Sequence, residues 1–192
     1  MTFQQDFSIG AFVTLVAIVL IRARIMSHKG IRTIVFGATD KSDFLLVPAV
    51  LVIVYAVLAR NFDLPFWQPL IKSLWISMTP GWFGVVFCAF ALLGVILTLR
   101  SFGDSFRVGI DEQQPDKLVT TGLFAYSRNP IYVCFLFFVS GLLLIYGNIA
   151  IAVALVAFAA VIHRQILREE VFLKTHYGTE YERYCQQVRR YF

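Results

Sequence analysis

Long apolar runs, separated by short polar and basic segments, dominate the chain. The runs cover residues 7–21, 44–59, 81–99, 130–146 and 149–162. Because an α-helix rises about 1.5 Å per residue, about 20 apolar residues cross a hydrocarbon layer of about 30 Å. The pattern predicts an all-α, polytopic membrane protein with five transmembrane helices.

Turn-forming residues mark the ends of these runs. Pro80-Gly81 precedes the third run, and only Gly147-Asn148 separates the fourth run from the fifth. Such a pair predicts a tight turn, so we expect the last two membrane helices to form a hairpin. The polar residues that follow are predicted to form cytoplasmic helices, with Gly178 at a helix end. Pro65 and Pro69 indicate an interfacial loop or short helix.

Basic residues are distributed unevenly between the two sides that five crossings define. Of the 17 Lys and Arg residues, 15 fall on one side, and only Arg60 and Lys72 fall on the other. Cytoplasmic loops carry the excess of Lys and Arg. The distribution therefore predicts an outside N-terminus and a cytoplasmic C-terminus, with segments 100–129 and 164–192 facing the cytoplasm together.

The composition supports an integral membrane protein that forms one domain over residues 1–192. Hydrophobic residues make up 58% of the chain and charged residues 15%, against about 25% charged in soluble domains. No Lys or Arg precedes the first run, so we expect that run to stay as a membrane helix. The short chain, without a luminal retention signal, suggests a bacterial inner membrane. The net charge of +5 fits this asymmetry and contact with anionic lipid, without nucleic-acid binding.

Several kinds of chemistry have no support in the sequence. The three cysteines are scattered and the three histidines show no metal-ligand spacing, so neither a disulfide framework nor a metal site is expected. Hydrolysis and ordinary nucleotide binding also lack support, because no Ser/His/Asp set, Walker loop or GxGxxG motif is present.

Residues 118–132 form a polar, glycine-bearing loop that leads directly into the fourth run. Gly122 predicts a tight turn. Asn129 and Pro130 are typical of a helix start, at the N-cap and first helical positions. One interpretation is that Asn129 and Pro130 only start the fourth membrane helix. Free N–H groups at a helix start also favour an anionic ligand, and the two interpretations are compatible.

Glu169 and Glu170 follow the fifth run and are the second candidate group. Carboxylates there form either a solvated rim or a set of ligands for ribose hydroxyls or an ammonium group. Tyr181, Tyr184 and Tyr191 are most simply an interfacial belt. Segment 101–111 mixes aromatic, glycine and charged residues, so we expect it to line a ligand site.

These residues resemble the isoprenylcysteine carboxyl methyltransferase family of integral membrane, S-adenosylmethionine-dependent enzymes, to which phospholipid methyltransferases are similar. The resemblance covers residues 101–192. It rests on two motifs: Leu118-Val119, Gly122, Phe124, Arg128-Asn129-Pro130 and Tyr132, followed by Glu169-Glu170, Tyr177-Gly178, Tyr181 and Tyr184.

The resemblance implies a site built from residues 100–132 and 164–192. It would bind S-adenosylmethionine and release S-adenosylhomocysteine. The implied cofactor-binding residues are Lys117, Leu118, Val119, Gly122, Phe124, Arg128, Asn129, Pro130, Ile131, Tyr132 and Glu169. The implied residues for the methyl acceptor are Arg107, Arg164, Gln165 and Arg168. No catalytic residue is assigned.

Within this resemblance, O-methylation of an isoprenylcysteine-like carboxylate is the favoured reaction, on a lipophilic or small acceptor. Three positions depart from the family pattern. Asn129 replaces the usual His and cannot titrate near neutrality, Phe124 replaces a common Tyr, and Gln165 occupies the place of an Arg near the substrate carboxylate.

Two other functions are open on the sequence alone. An NADPH-dependent membrane reductase of the sterol-reductase type would show Arg-Asp and Lys-Tyr-Gly motifs, where this chain has Glu169-Glu170 and His176-Tyr177-Gly178. A non-enzymatic membrane scaffold or transport partner is the second. No charge within an apolar run marks an ion path.

Overall fold

The computed structural model describes residues 2–29, 46–75, 77–103 and 118–192, and the regular structure in these ranges is helical. A 3₁₀ turn at Gly122–Ala125 precedes the fifth of seven α-helices. The helices are α1 (Phe3–His28), α2 (Leu46–Phe62), α3 (Gln68–Ile71), α4 (Thr79–Phe102), α5 (Pro130–Tyr146), α6 (Ile149–Tyr177) and α7 (Thr179–Gln187). The prediction of an all-α chain is confirmed for these ranges.

Three of the helices have the length and composition of membrane spans. These are α1, α4 and α6, whereas α2 and α5 are apolar but have only 17 residues each. Each predicted apolar run lies within one of these five helices wherever the structure describes it. The helices therefore agree with a membrane protein, and three of the five predicted crossings have full span length.

The turn between α5 and α6 forms as predicted. Gly147 ends α5 in the left-handed conformation, with φ of 55°, which costs glycine no Cβ clash. Asn148 then begins α6, because its side-chain oxygen accepts a hydrogen bond from the Ile151 amide at 2.9 Å. The two helices contact each other along the predicted hairpin.

Helix α6 is much longer than its apolar part. The apolar run ends near residue 162, but the helix continues to Tyr177, where Gly178 with φ of 51° terminates it. Glu169 and Glu170 therefore lie about two turns beyond the apolar part, on a rigid continuation of the same helix. Gly178 occupies the helix end that the sequence predicted.

Close backbone approach joins α4 to α5. A Cβ atom added to Gly141 would lie 2.6 Å from the Cys88 sulfur and 2.8 Å from the Gly84 carbonyl oxygen. Small residues at such a crossing allow membrane helices to pack through main-chain contact. The contact between Gly84 and Gly141 sets the position of α5, and therefore the position of the motif at the start of α5.

Polar side chains join three helices at the end of the bundle opposite the start of α5. The Tyr146 hydroxyl of α5 lies 2.8 Å from the Ser8 hydroxyl of α1 and accepts a hydrogen bond from the Asn61 amide of α2 at 2.6 Å. Three helices are held together there. Beyond them, the proline-containing segment forms the short helix α3, as predicted.

Candidate functional site

The two sequence motifs meet at one end of the helical bundle. The Arg128 amide donates to the Arg189 carbonyl at 3.0 Å, and the Tyr132 hydroxyl donates to Glu169 Oε1 at 2.5 Å. Arg128 and Tyr132 flank the start of α5, whereas Glu169 belongs to the distal part of α6. Segments 118–132 and 164–192 are therefore in contact with each other in the structure.

The 3₁₀ turn before α5 is fixed from two sides. Gly122 has φ of 65° and lies so close to Ser101 that a side chain would clash. The neighbouring Phe124 ring packs edge-on against Phe102 of α4, with 4.7 Å between ring centroids. From α7, the Tyr184 hydroxyl donates to the Phe124 carbonyl at 2.6 Å. Burial raises the pKa of Tyr184 to about 12, so it remains a donor near neutrality.

Tyr132 and Glu169 belong to a polar chain of side chains. Glu169 Oε1 also accepts from the Gln165 amide at 3.1 Å, and the Gln165 amide oxygen accepts from Arg168 at 3.3 Å. Gln165 is buried, whereas Glu169 and Tyr132 are partly exposed. Four residues that the sequence assigned to cofactor or acceptor binding thus form one connected group.

The adjacent Glu170 makes a separate cluster with two arginines. It accepts from Arg128 at 2.8 Å and from the Arg190 guanidinium at 2.7 Å. Its side chain is 13% exposed and that of Arg128 is 11% exposed. Burial by itself would raise the Glu170 pKa, but the hydrogen bonds and charges of Arg190 and Arg128 lower it below its ordinary value.

Asn129 occupies the N-cap position of α5 without a side-chain cap hydrogen bond. Its amide nitrogen Nδ2 instead donates to the Arg190 carbonyl at 3.2 Å. Ser127 assists: its hydroxyl accepts from the Asn129 main-chain amide at 3.1 Å and donates to the same Arg190 carbonyl at 3.4 Å. The helix start was predicted correctly, but the Asn129 side chain serves a contact with a distant segment.

The prediction of a tyrosine belt is wrong for Tyr181 and Tyr184. Both are buried and pack with Val188, and Leu118 covers them from the first motif. Burial raises the pKa of Tyr181, and the Glu170 charge adds to that shift. These side chains form a small core of their own because α7 folds back on the first motif.

The other predicted site residues lie in several environments. Val119 is partly buried, Pro130 is buried, and Ile131 packs against the main core. Arg164 is exposed. Arg107 and Lys117, with most of segment 101–111, lie outside the described residues.

Three residues that contribute to this arrangement were not predicted: Ser127, Tyr184 as a donor, and Arg190. Arg190 was noted only as a positive charge. A basic pair directly after a short helix was the available signal, and it does not indicate which carboxylate the arginine will meet.

A cleft of about 560 Å³ lies elsewhere, between α2 and α3. Arg60, Asp63, Gln68 and Lys72 are among its lining residues. None of the predicted site residues lines it. Volume alone therefore does not identify the functional site, and the meeting of the two motifs is the better guide.

Known proteins match much of the part of the chain that carries this site. Residues 80–180 match the phospholipid methyltransferase family. A probable protein-S-isoprenylcysteine O-methyltransferase of Oryza sativa subsp. indica is 35% identical over 100 residues, 50% of each chain. Protein-S-isoprenylcysteine O-methyltransferase B of Arabidopsis thaliana is 31% identical over 147 residues, 72% of this chain and 70% of that protein. The chain spans about half the length of the rice relatives.

Proposed function

The chain belongs to the phospholipid methyltransferase family, and from this premise we propose that it is a membrane methyltransferase with S-adenosylmethionine as its methyl donor and a lipophilic molecule as its acceptor. The observation that carries the proposal is the contact between Tyr132 and Glu169. It joins the helix start of the first motif to the carboxylates of the second, at the end of an apolar bundle.

The residues present fit such a cofactor. Glu169 supplies a carboxylate for the cofactor's ammonium or ribose hydroxyls, and Tyr132 and Gln165 orient it. Arg128 Nε is buried and has no acceptor within the described ranges. A carboxylate of the cofactor would satisfy that donor. The helix start at Pro130 adds free N–H groups and a partial positive charge.

Apolar side chains of the first motif complete the proposed site. Leu118 and Val119 are partly buried and would line the cofactor with Phe124, Ile131 and the backbone at Gly122. We also include Pro130, Lys117 and Arg107 in the proposed site, on the basis of the sequence resemblance.

Alignment and exclusion of water are the contributions we assign to the protein. S-adenosylmethionine, when bound, would supply a methyl group on a positively charged sulfur. An acceptor lone pair would attack the methyl carbon as the carbon–sulfur bond breaks, which would leave S-adenosylhomocysteine. If the acceptor is a carboxylate, it needs no general base. The residues then act by holding the two reactants in line in a dry cavity. Aromatic faces such as Tyr132 favour the cationic donor.

We propose that the acceptor enters from the bilayer and carries an anionic group. Arg164 and Arg168 flank Gln165 on α6 and would supply the positive charge. The names of the two plant relatives described above support an isoprenylcysteine-like carboxylate as the first candidate. The Gln165 position, where the family has Arg, makes the choice of acceptor an experimental question.

The same proposal places residues 1–192 in one domain with five crossings. Segments 100–132 and 164–192 would face the cytoplasm, where the cofactor is dissolved, and a bacterial inner membrane is the proposed location. Basic residues concentrate on that side, as the positive-inside rule requires.

Ligand binding to purified protein in detergent tests the proposal. Calorimetric titrations with S-adenosylmethionine and S-adenosylhomocysteine should give saturable binding, and NADPH should give none. Glu169→Gln should weaken binding, whereas Glu180→Gln, an exposed carboxylate on α7, should not. Saturable NADPH binding without S-adenosylhomocysteine binding would overturn the assignment. Radiolabelled methyl transfer to a farnesylcysteine analogue and to phosphatidylethanolamine then separates O- from N-acceptors.

A further inference from the structure

The segment after α7, residues 188–192, lies directly against the start of α5. We propose that this segment is a working part of the cofactor site and that Glu170 is the positioning residue that holds it there. In this arrangement the Arg190 carbonyl orients the Asn129 side chain. The inference rests on the proposed function, because it concerns how the proposed site is kept in shape.

Adjacent glutamates on α6 face different partners. Successive residues on a helix point about 100° apart, so Glu169 and Glu170 leave α6 in different directions. Glu169 meets Tyr132 and Gln165, whereas Glu170 accepts three hydrogen bonds from the Arg190 guanidinium, at 2.7 to 3.1 Å. One glutamate is therefore placed for a ligand, and its neighbour fixes a distant part of the chain.

Arg128 secures the same segment through further hydrogen bonds. Its guanidinium donates to Glu170 and also to the carbonyls of Cys185 and Val188, at 3.3 and 3.2 Å. Its main-chain amide donates to the Arg189 carbonyl. Charge-assisted hydrogen bonds of this kind are the strong ones in proteins. The end of α7 and the segment after it are thus bound to the first motif by both main chain and side chain.

The segment determines which way the Asn129 amide points. The Arg190 carbonyl can only accept, so it selects the Nδ2 end of the amide. The amide oxygen is then left on the opposite side, and it has no hydrogen bond from the residues that the structure describes. An Asn in this position becomes a fixed acceptor for a donor group of the cofactor, provided that Arg190 stays in place.

Aromatic contacts continue the attachment beyond Arg190. The Tyr191 hydroxyl lies 2.5 Å from Nδ1 of His163 on α6. The Phe192 ring packs edge-on against Phe137 of α5, with 6.1 Å between centroids. The segment therefore contacts both helices of the hairpin whose ends form the site, which suits a positioning role.

Two readouts on the full chain test the inference. The first is S-adenosylhomocysteine affinity. The second is hydrogen–deuterium exchange, without ligand, of a peptide containing the Arg128 and Asn129 amides. Glu170→Gln should weaken affinity roughly tenfold and accelerate exchange in that peptide. Glu169→Gln should weaken affinity with exchange unchanged. Glu180→Gln, an exposed glutamate of α7, is the matched control for charge and should change neither.

A milder variant guards against misfolding. Arg190→Lys keeps the charge but loses the bidentate geometry, so it should fold and give a smaller loss of affinity with partly accelerated exchange. The inference is overturned if Glu170→Gln accelerates exchange but binds S-adenosylhomocysteine within twofold of the wild type, or if exchange does not change. A wild-type protein that binds neither cofactor form overturns the proposed function, and this inference with it.

Discussion

Tyr132 at the start of α5 and Glu169 in the distal part of α6 are joined by a hydrogen bond, although 37 residues separate them in sequence. The bond connects the two ends of the α5–α6 hairpin opposite its turn at Gly147-Asn148. Both ends of that hairpin are thereby fixed: one by a two-residue turn, the other by polar side chains. A hairpin tied in this way holds the polar groups of both motifs in constant register.

Removal of the Tyr132 hydroxyl tests this connection. A hydrogen bond to a charged group contributes about 1.5–3 kcal/mol. If that energy is lost from the site, Tyr132→Phe should weaken S-adenosylhomocysteine binding by about 10- to 150-fold. Tyr126→Phe serves as the control, because Tyr126 is 76% exposed and should bind normally. Calorimetric titration of both variants measures the difference. Equal affinity in Tyr132→Phe and wild type would show that Glu169 does not need this donor.

The Glu170 cluster predicts a specific dependence of stability on pH. Its pKa is lowered in the folded protein from an ordinary value of 4.5, so the folded state favours the ionised form. The stabilisation is then complete above the ordinary pKa and is lost as the pH falls through the lowered, folded-state pKa. At pH values below about 4.5, we expect the unfolding temperature in detergent to fall, partly because Glu170 becomes protonated.

Glu170→Gln separates that contribution from other carboxylates. At neutral pH the variant should lose about 3 kcal/mol of unfolding free energy, since it leaves buried arginine charge without its partner. Towards acid pH the gap between variant and wild type should narrow, as wild-type Glu170 becomes protonated. A constant gap from pH 7 to pH 3 would contradict the assigned pKa shift.

The positions of the apolar helices were largely predictable from sequence, and so were both ends of α5. Helix α5 begins at Pro130 and ends at Tyr146, as the apolar run and its flanking turn residues indicated. These boundaries follow from local chemistry: proline fits the first helical turn, and glycine fits a left-handed end. Local preferences of this kind are carried by the residues themselves, so a sequence pattern is enough.

The side-chain partners were not predictable in the same way. Which of Glu169 and Glu170 meets Tyr132 depends on the rotation of α6 about its axis relative to α5, and packing along the whole hairpin sets that rotation. Tyr181 and Tyr184 were assigned to an interfacial belt by residue type. Their spacing of three residues on one face of α7 was the signal that they share a buried surface.

Helix packing at Gly141 gives a prediction that is independent of the site. A Cβ atom there would lie 2.6 Å from the Cys88 sulfur, closer than van der Waals contact permits. Gly141→Ala should therefore force α4 and α5 apart and destabilise the protein by about 1–3 kcal/mol. Gly10→Ala is the control, because nothing lies within 4 Å of a Cβ atom at that position. Thermal unfolding in detergent should show a lower midpoint for Gly141→Ala and an unchanged or higher one for Gly10→Ala.

The proposed topology makes the last prediction. If the chain crosses the membrane five times with the basic segments inside, the loop after α2 and the end of α7 lie on opposite sides. A phosphatase that is active only outside the cytoplasm should therefore be active when fused after Asp63 and inactive when fused after Phe192. A fluorescent protein that folds only in the cytoplasm should show the reverse.

The two fusion positions distinguish a wrong orientation from a wrong number of crossings. If the phosphatase and fluorescence signals were reversed at both positions, the basic residues would not determine the orientation. The odd number of crossings between the two positions would still stand. The same signal at both positions would instead mean that α4, α5 and α6 do not all cross. Because α5 has only 17 residues, it would be the first helix to question. A failure of α5 alone would also break the contact of Tyr132 with Glu169, because that contact requires both residues on one side of the membrane, so that α5 and α6 cross together or not at all.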